Sequence, residues 1–464
     1  PATPPAATPA LRSISARAPS RYTKDPMDLG FETIGNACLI FHDGGPVLAT
    51  DPWLFGSAYF GSWILSHEVP EEQQAHVRQC RYLWISHGHP DHLSLPSLET
   101  LRDKEILLPD HVGARVANDL RGLGFHVRVL QDGVWTQLSP RLRVASIANY
   151  NQDAVLIVDI DGHLIIDAND AGDRGARHFL MKELPRFQKQ TFLACLLGYG
   201  DADMINFFDE QGRRIPPRAM QHLPVGPQVA EVLHAYGIKN YLPSSSQHRY
   251  QRTDSIWTNA CATPEDEYGN GFRSDYARCL PAFIAYDLLR DDYRRIQPKS
   301  NEGKVAKPEE FGDDWNEPLR DGDAAMLRSY FGRFEHLKGR FGHVTFRVAG
   351  KDCVVDISKG VDRGVTFEVP RNSLMSAVEW NAFDDLLIGN FMRTTLHGDW
   401  WGKQGTDALY PHFTPFVTKF GDNGNARTKD ELRLYFAEYL RRGFTSFDLG
   451  PSDFEMREAL RDYL

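Results

Sequence analysis

The chain has 464 residues, 42% hydrophobic and 25% charged, with a net charge of -10. This is the composition of a soluble globular protein with room for two domains. It excludes a broad basic surface for nucleic acid, and no apolar run reaches the length of a membrane span. Six cysteines (Cys38, Cys80, Cys195, Cys261, Cys279, Cys353) stand singly, with no Cys-x-x-Cys. That pattern predicts reduced thiols and a cytoplasmic protein rather than a disulfide framework.

Residues 1–24 are rich in Pro, Ala, Ser and Arg, and read as disordered. Strands follow at Phe31–Phe41 and Pro46–Thr50, joined by the turn His42-Asp43-Gly44-Gly45. A short apolar strand, Arg81–Ile85, then runs into His87-Gly88-His89-Pro90-Asp91-His92. Four potential ligands at His-x-His-x-Asp-His spacing are metal chemistry, because imidazole and carboxylate suit zinc, iron or manganese. His87 and His89, two apart on an extended loop, can reach one cation. Asp91 and His92, beyond the bend at Pro90, can reach a second.

Leu95 opens a short helix, Ile106–Leu108 is a strand, and Val112–Gly122 has helical spacing. Strands are predicted at Phe125–Leu130, within Trp135–Ile147, at Ala154–Val158 and Leu164–Ile166, with the hairpin turn Asp161-Gly162. Phe192–Leu197 is a strand leading into Gly198–Asp203, Val225–Tyr236 a helix, Ile238–Leu242 a strand and Phe283–Tyr293 a helix. Alternation of short strands and helices predicts a layered α/β domain over 25–296. Residues 297–314 read as a linker. Residues 315–464 read as a smaller α+β domain, with helices at Met326–Leu337, Leu374–Val378, Phe383–Leu396, Tyr435–Arg441 and Phe454–Tyr463. Strands are expected there at Gly342–Val348, Cys353–Ile357 and Val365–Val369.

The loop from His87 to His92 resembles the signature of the metallo-β-lactamase superfamily. The resemblance implies an αββα sandwich with a one- or two-metal site at one sheet edge. It implies a bridging carboxylate at Asp170, with Asp167 and Asp173 as alternatives, and a final histidine ligand at His248. Asp51, in Asp51-Pro52-Trp53, matches a residue that supports the metal loop from behind. The usual third histidine is missing. Asn149 or Asn151 stands in its place, and Asp153 is the nearest strong ligand. Beside His248, the loop holding Arg249, Tyr250 and Arg252 is a candidate substrate-binding stretch, since Arg suits a carboxylate or phosphate. Arg174 is a further hint of an anionic substrate.

Several pieces resemble the CMP-N-acetylneuraminate hydroxylase group in particular: Leu93-Ser94-Leu95-Pro96 after the metal loop, Gly133-Val134-Trp135, Asp153, Asn169-Asp170, and Trp380–Gly389. That group oxygenates with iron and takes electrons through an attached Rieske domain. No cysteine pair here suits such a centre. The resemblance therefore implies an oxygenase supplied with electrons by a separate protein or by its substrate. Its cofactor would be two divalent metals, iron favoured over zinc or manganese. One would sit on His87, His89 and Asp153, the other on Asp91, His92 and His248, with Asp170 between. The alternative is a hydrolase of a phosphodiester, ester or lactone, in which the metals activate a water and Asp91 moves a proton. Asp91 and His248 are the candidate catalytic residues in either case.

Overall fold

The computed structural model describes residues 27–173, 175–197 and 204–443. The N-terminal segment 1–24, the expected helix at 454–463, the stretch 198–203 and Arg174 lie outside the described residues.

Two sheets face each other. The first has eight strands, in the order Asp292–Arg295, Ile284–Asp287, Leu29–Ile34, Cys38–Asp43, Pro46–Thr50, Tyr82–Trp84, Glu105–Leu108, His126–Val129. The second has seven, in the order Arg278–Cys279, Asn240–Pro243, Thr191–Cys195, His163–Asn169, Ala154–Ile160, Leu142–Ala148, Thr136–Ser139. Successive side chains of a strand point to opposite faces, and both faces here are apolar. Tyr82 and Trp84 meet Leu156, Val158 and Phe192 of the other sheet. Leu83 and Ile85, on the opposite face, meet Val77, Leu98 and Leu120 of the helices Glu71–Gln79, Leu95–Glu99 and Arg115–Gly122. On the far side, Val155, Ile157 and Ile166 pack on Leu180, Val229 and Leu233 of the helices Arg177–Glu183 and Gly226–Tyr236. The result is the αββα sandwich of the metallo-β-lactamase fold.

Parallel pairing sets where the chemistry goes. Pro46–Thr50, Tyr82–Trp84 and Glu105–Leu108 run parallel in one sheet, and His163–Asn169, Thr191–Cys195 and Asn240–Pro243 in the other. Asp51, the loop at 86–92, Asp170 and the approach to His248 all leave carboxyl ends of these strands, where open α/β sheets bind ligands.

Of two expected helices, one is a hairpin and the other is cut short. Residues 283–293 form most of the hairpin Ile284–Asp287 with Asp292–Arg295. The apolar spacing there has period two: Ile284, Tyr286 and Leu288 face the second sheet, while Phe283 and Ala285 face the helices. Residues 383–396 split into the helix Asp384–Ile388 and the strand Arg393–His397, with Asn390 in the left-handed region between them.

A third sheet, in the order Phe207–Phe208, Arg393–His397, Gly364–Glu368, His343–Val348, Lys351–Asp356, packs on the helices Asp323–Gly332 and Arg371–Trp380. Its first strand comes from within 25–296, so the sheet crosses the expected boundary. The segment 297–314 is laced down as well: Asn301 donates to the Ser66 and Leu65 carbonyls, and Asp313 pairs with Arg252. A small sheet of Ser57–Ala58, Trp63–Leu65 and His248–Tyr250 carries the last candidate ligand. Among the described residues no helix is long and apolar enough to cross a membrane.

Candidate metal centre

The metal loop begins where the strand Tyr82–Trp84 ends, and its imidazoles are each held from outside. Asp51, fully buried, accepts from the Ser86 amide at 2.8 Å and from Ser86 Oγ at 2.7 Å. It also bonds His92 Nδ1 at 2.7 Å. The Ser86 hydroxyl, donating to Asp51, is left to accept from His87 Nδ1 at 2.9 Å. His89 Nε2 lies 3.0 Å from Asp384 Oδ2 and 3.1 Å from Lys419 Nζ; the carboxylate can only accept, and pairing with it puts the ring proton on Nε2. These assignments leave lone pairs on His87 Nε2 and His89 Nδ1, which face each other at 2.9 Å. Two lone pairs so placed repel unless a cation sits between them. An outward N–H bond to a carboxylate or hydroxyl is the usual support of a metal-binding histidine.

Asp170 leaves the end of the neighbouring sheet and enters between the imidazoles. Its Oδ2 is 3.9 Å from His87 Nε2 and 3.4 Å from His92 Nε2. His92 Nε2 is also 3.4 Å from Asp91 Oδ2. Donor atoms of His87, His89 and Asp170 lie within 4.8 Å of one another. His248 stacks on Trp63 with ring centroids 3.4 Å apart and planes 2° from parallel. Trp63 in turn packs edge-on to Tyr59, whose hydroxyl donates to Asp91 Oδ1. His92 Nε2, His248 Nδ1 and Asp170 Oδ1 are buried with no hydrogen-bond partner. Buried polar atoms are nearly always bonded, so three such orphans in one place fit a cation site.

The charges sort the imidazoles. Burial, with the positive charges of His92, His89 and Lys419, holds His87 well below its ordinary pKa and keeps it neutral. Burial also brings His248 down to about 4, against the pull of Asp91. His92 goes the other way: burial opposes its charge, but Asp91, Asp170 and Asp51 push its pKa well above the ordinary value. Burial likewise opposes ionisation of Asp91. The His92 charge, with the His89 charge and the Tyr59 bond, outweighs it and holds the carboxyl below the usual range. Asn36 Nδ2 donates to its other oxygen at 2.8 Å.

Asp153 is not among the atoms gathered around His87 and His89. Asn149 Oδ1 accepts from the Asn151 and Asp153 amides and folds a tight turn, and Asp153 Oδ2 accepts from Asn151 Nδ2 at 3.0 Å. Two of the three expected substrate contacts are buried and bonded within the protein. Arg252 is fully buried, bonded to Asp254, to Asp313 and to the Phe60 carbonyl, and its guanidinium lies 3.9 Å over the Phe391 ring. Tyr250 is buried, its hydroxyl accepting from Asn390 Nδ2 at 2.9 Å. Arg249, next to His248, is half-buried.

Sequence reading missed Asp384 and Lys419. Lys419 Nζ lies 3.1 Å from His89 Nε2 and 3.7 Å from Asp384 Oδ2. Asp384 falls inside the stretch Trp380–Gly389 already singled out; Lys419 had no local signal. A second group of possible ligands, Glu32, His42 and His76, sits on the other side of the first sheet. There Gln73 donates to Glu32, and Arg294 lies 3.5 Å from it, supplying the positive charge a metal would bring.

No protein-family model matches the chain. It is 28% identical over 177 residues to the mouse (Mus musculus) cytidine monophosphate-N-acetylneuraminic acid hydroxylase, 34% of this chain and 31% of that one. The pig (Sus scrofa) hydroxylase is 31% identical over 144 residues, 29% of this chain and 33% of its own. The chain thus spans about a third of the length of the curated relatives it matches. Among solved structures, a metallo hydrolase from the archaeon Ignicoccus hospitalis superposes with a TM-score of 0.35 at 14% identity, covering 58% of this chain and 99% of its own. A metallo-β-lactamase-fold protein of Bacillus subtilis gives 0.29 at 11% identity, covering 56% and 97%. The chain is an αββα sandwich protein with similarity, over about a third of its length, to the CMP-N-acetylneuraminic acid hydroxylases.

Proposed function

We propose that this chain is a metal-dependent oxidoreductase, an iron- and O2-using oxygenase of a small anionic substrate. The observation that carries the reading is the donor set at the centre. His87, His89 and Asp170 make two imidazoles and a carboxylate, the combination associated with non-haem iron oxygenases rather than with a closed zinc site. In this reading those three hold one ion. Asp91, His92 and His248 would hold a second, with Asp170 Oδ2 lying between His87 and His92.

When bound, iron supplies the one-electron and O2 chemistry that side chains lack. The residues of the chain do the rest. Ser86, Asp51 and Asp384 hold the imidazoles in their ligating tautomers. Trp63 and Tyr59 wall off one side from water. Arg249 offers a guanidinium to an anionic group of the substrate. Electrons come from a separate donor protein or from the substrate.

The test is metal analysis of protein purified without added metal, followed by oxygen uptake after chemical reduction. Iron in the protein together with uptake supports the proposal. Zinc with no uptake, and turnover of a phosphodiester, ester or lactone, would replace it with hydrolysis by a metal-activated water.

A further inference from the structure

We propose that Asp384 is a positioning residue of the metal centre, delivered from the C-terminal region to hold the His89 ring with Nδ1 toward the metal. The proposal rests on the metal-centre reading above and extends it to a residue 295 positions away from the loop it serves.

The carboxylate is placed by rigid parts. Asp384 opens the helix Asp384–Ile388 directly after Phe383. The Phe383 ring is caged by Phe331, Phe346, Phe367 and Phe413, at centroid distances of 5.2 to 6.2 Å. A side chain adjacent to such an anchor has little freedom. From there Oδ2 reaches His89 Nε2 at 3.0 Å, while Nδ1 of the same ring faces His87 Nε2.

The charge of the carboxylate is matched on the spot. Lys419 Nζ is 3.7 Å away, on the segment Pro415–Asn423, which winds as a wide helix with i to i+5 bonding. Such turns are rare and concentrate at functional sites. Arg115, on a helix of the metal-bearing sandwich, then ties both C-terminal pieces to the centre. It donates to the Asn381 carbonyl at 2.8 Å, three residues before Asp384, and to Asn423 Oδ1 at 2.7 Å, four residues after Lys419.

A rival explanation is that Asp384 only neutralises the buried Lys419. The two differ in what they do to the metal. A carboxylate that orients a ligating histidine typically changes metal affinity 10–100-fold when removed, roughly the range seen for such outer partners. A counter-ion to lysine would act only through the Lys419 charge, which lies 3.1 Å from His89 Nε2, so its removal would leave affinity alone once Lys419 is replaced by a neutral residue. The experiment is competition with a coloured chelator for Fe²⁺ and Zn²⁺ on the full chain. It compares Asp384, Asp384→Ala and Asp384→Asn, each in the wild-type and the Lys419→Met background, with folding checked by circular dichroism and the His89 Nε2–H proton followed by NMR. The expected result is about 10–100-fold weaker binding for Asp384→Ala, a smaller loss for Asp384→Asn, which keeps an acceptor oxygen, and an upfield move of that proton in both. Wild-type affinity in a folded Asp384→Ala, or a loss that disappears in the Lys419→Met background, would overturn the proposal. A wild type that binds neither metal would overturn the metal-centre reading itself.

Discussion

At the scale of single residues, burial decides which of the polar side chains near the centre can act. Arg252 and Asp313 are both fully buried and bonded to each other at 2.8 Å. Removing one partner leaves a buried charge uncompensated, at a cost of about 3–5 kcal/mol. Arg252→Met should therefore lower the urea midpoint sharply while leaving metal content per folded chain unchanged. A stable Arg252→Met that had lost affinity for an anionic substrate would restore Arg252 as a contact. His248 is the opposite case. Its neighbours are the Trp63 ring and the charges of Asp91 and His92, and its Nδ1 bonds nothing. His248→Ala is expected to lose bound metal with little loss of fold, read by metal analysis against circular dichroism. Full metal content in that variant would remove it from the ligand set.

At the scale of elements, the helix Glu71–Gln79 is fastened to the first sheet by the pair His76–Glu32 at 2.7 Å. Its hydrogen bond to Glu32 raises the His76 pKa despite burial. Burial opposes the charge of Glu32, but hydrogen bonds with His42 and His76 outweigh it and lower its pKa. The two signs define a window. A lowered carboxyl stabilises the fold above its unfolded value of about 4.5, and that contribution is lost as pH falls through the folded value. A raised imidazole stabilises below its unfolded value of about 6.5, and that contribution is lost as pH rises through the folded value. The pair is fully effective between those limits. His76→Gln should cost more stability at pH 6 than at pH 9 in urea titrations. An equal cost at both would mean the pair carries no charge-dependent stabilisation.

At the scale of the whole molecule, the C-terminal region closes the metal centre. Tyr435 and Phe436 of the helix Lys429–Arg441 pack with Phe416, Phe420 and Tyr150 in one cluster, joining the region to the turn beside the metal loop. Gln152 Nε2 donates to the Tyr435 hydroxyl at 2.8 Å across the same joint. Gly113, with φ at +92°, sits where a Cβ would stand 2.7 Å from the Gly424 backbone. That contact lies five residues beyond Lys419. Gly113→Ala combines a left-handed backbone penalty of about 1–2 kcal/mol with this overlap. It should lower the unfolding midpoint and speed metal loss to a chelator. An unchanged midpoint would show that the joint yields without cost.

The sequence alone determined the parts whose geometry is local. Ligands packed between His87 and His92 lie close together in the chain, and a continuous apolar run in strands such as Tyr82–Trp84 points to a sheet buried on both faces. The same logic failed at 283–293, where a buried hairpin and a helix present similarly apolar stretches and only pairing with Leu29–Ile34 decides between them. Tertiary structure alone decided the rest. Arg252 is a structural ion-pair residue because Asp313 arrives from 61 positions away. His89 is anchored because Asp384 and Lys419 arrive from 295 and 330 positions away. No spacing rule spans such distances, because these meetings depend on how whole layers pack, which no short stretch of chain contains.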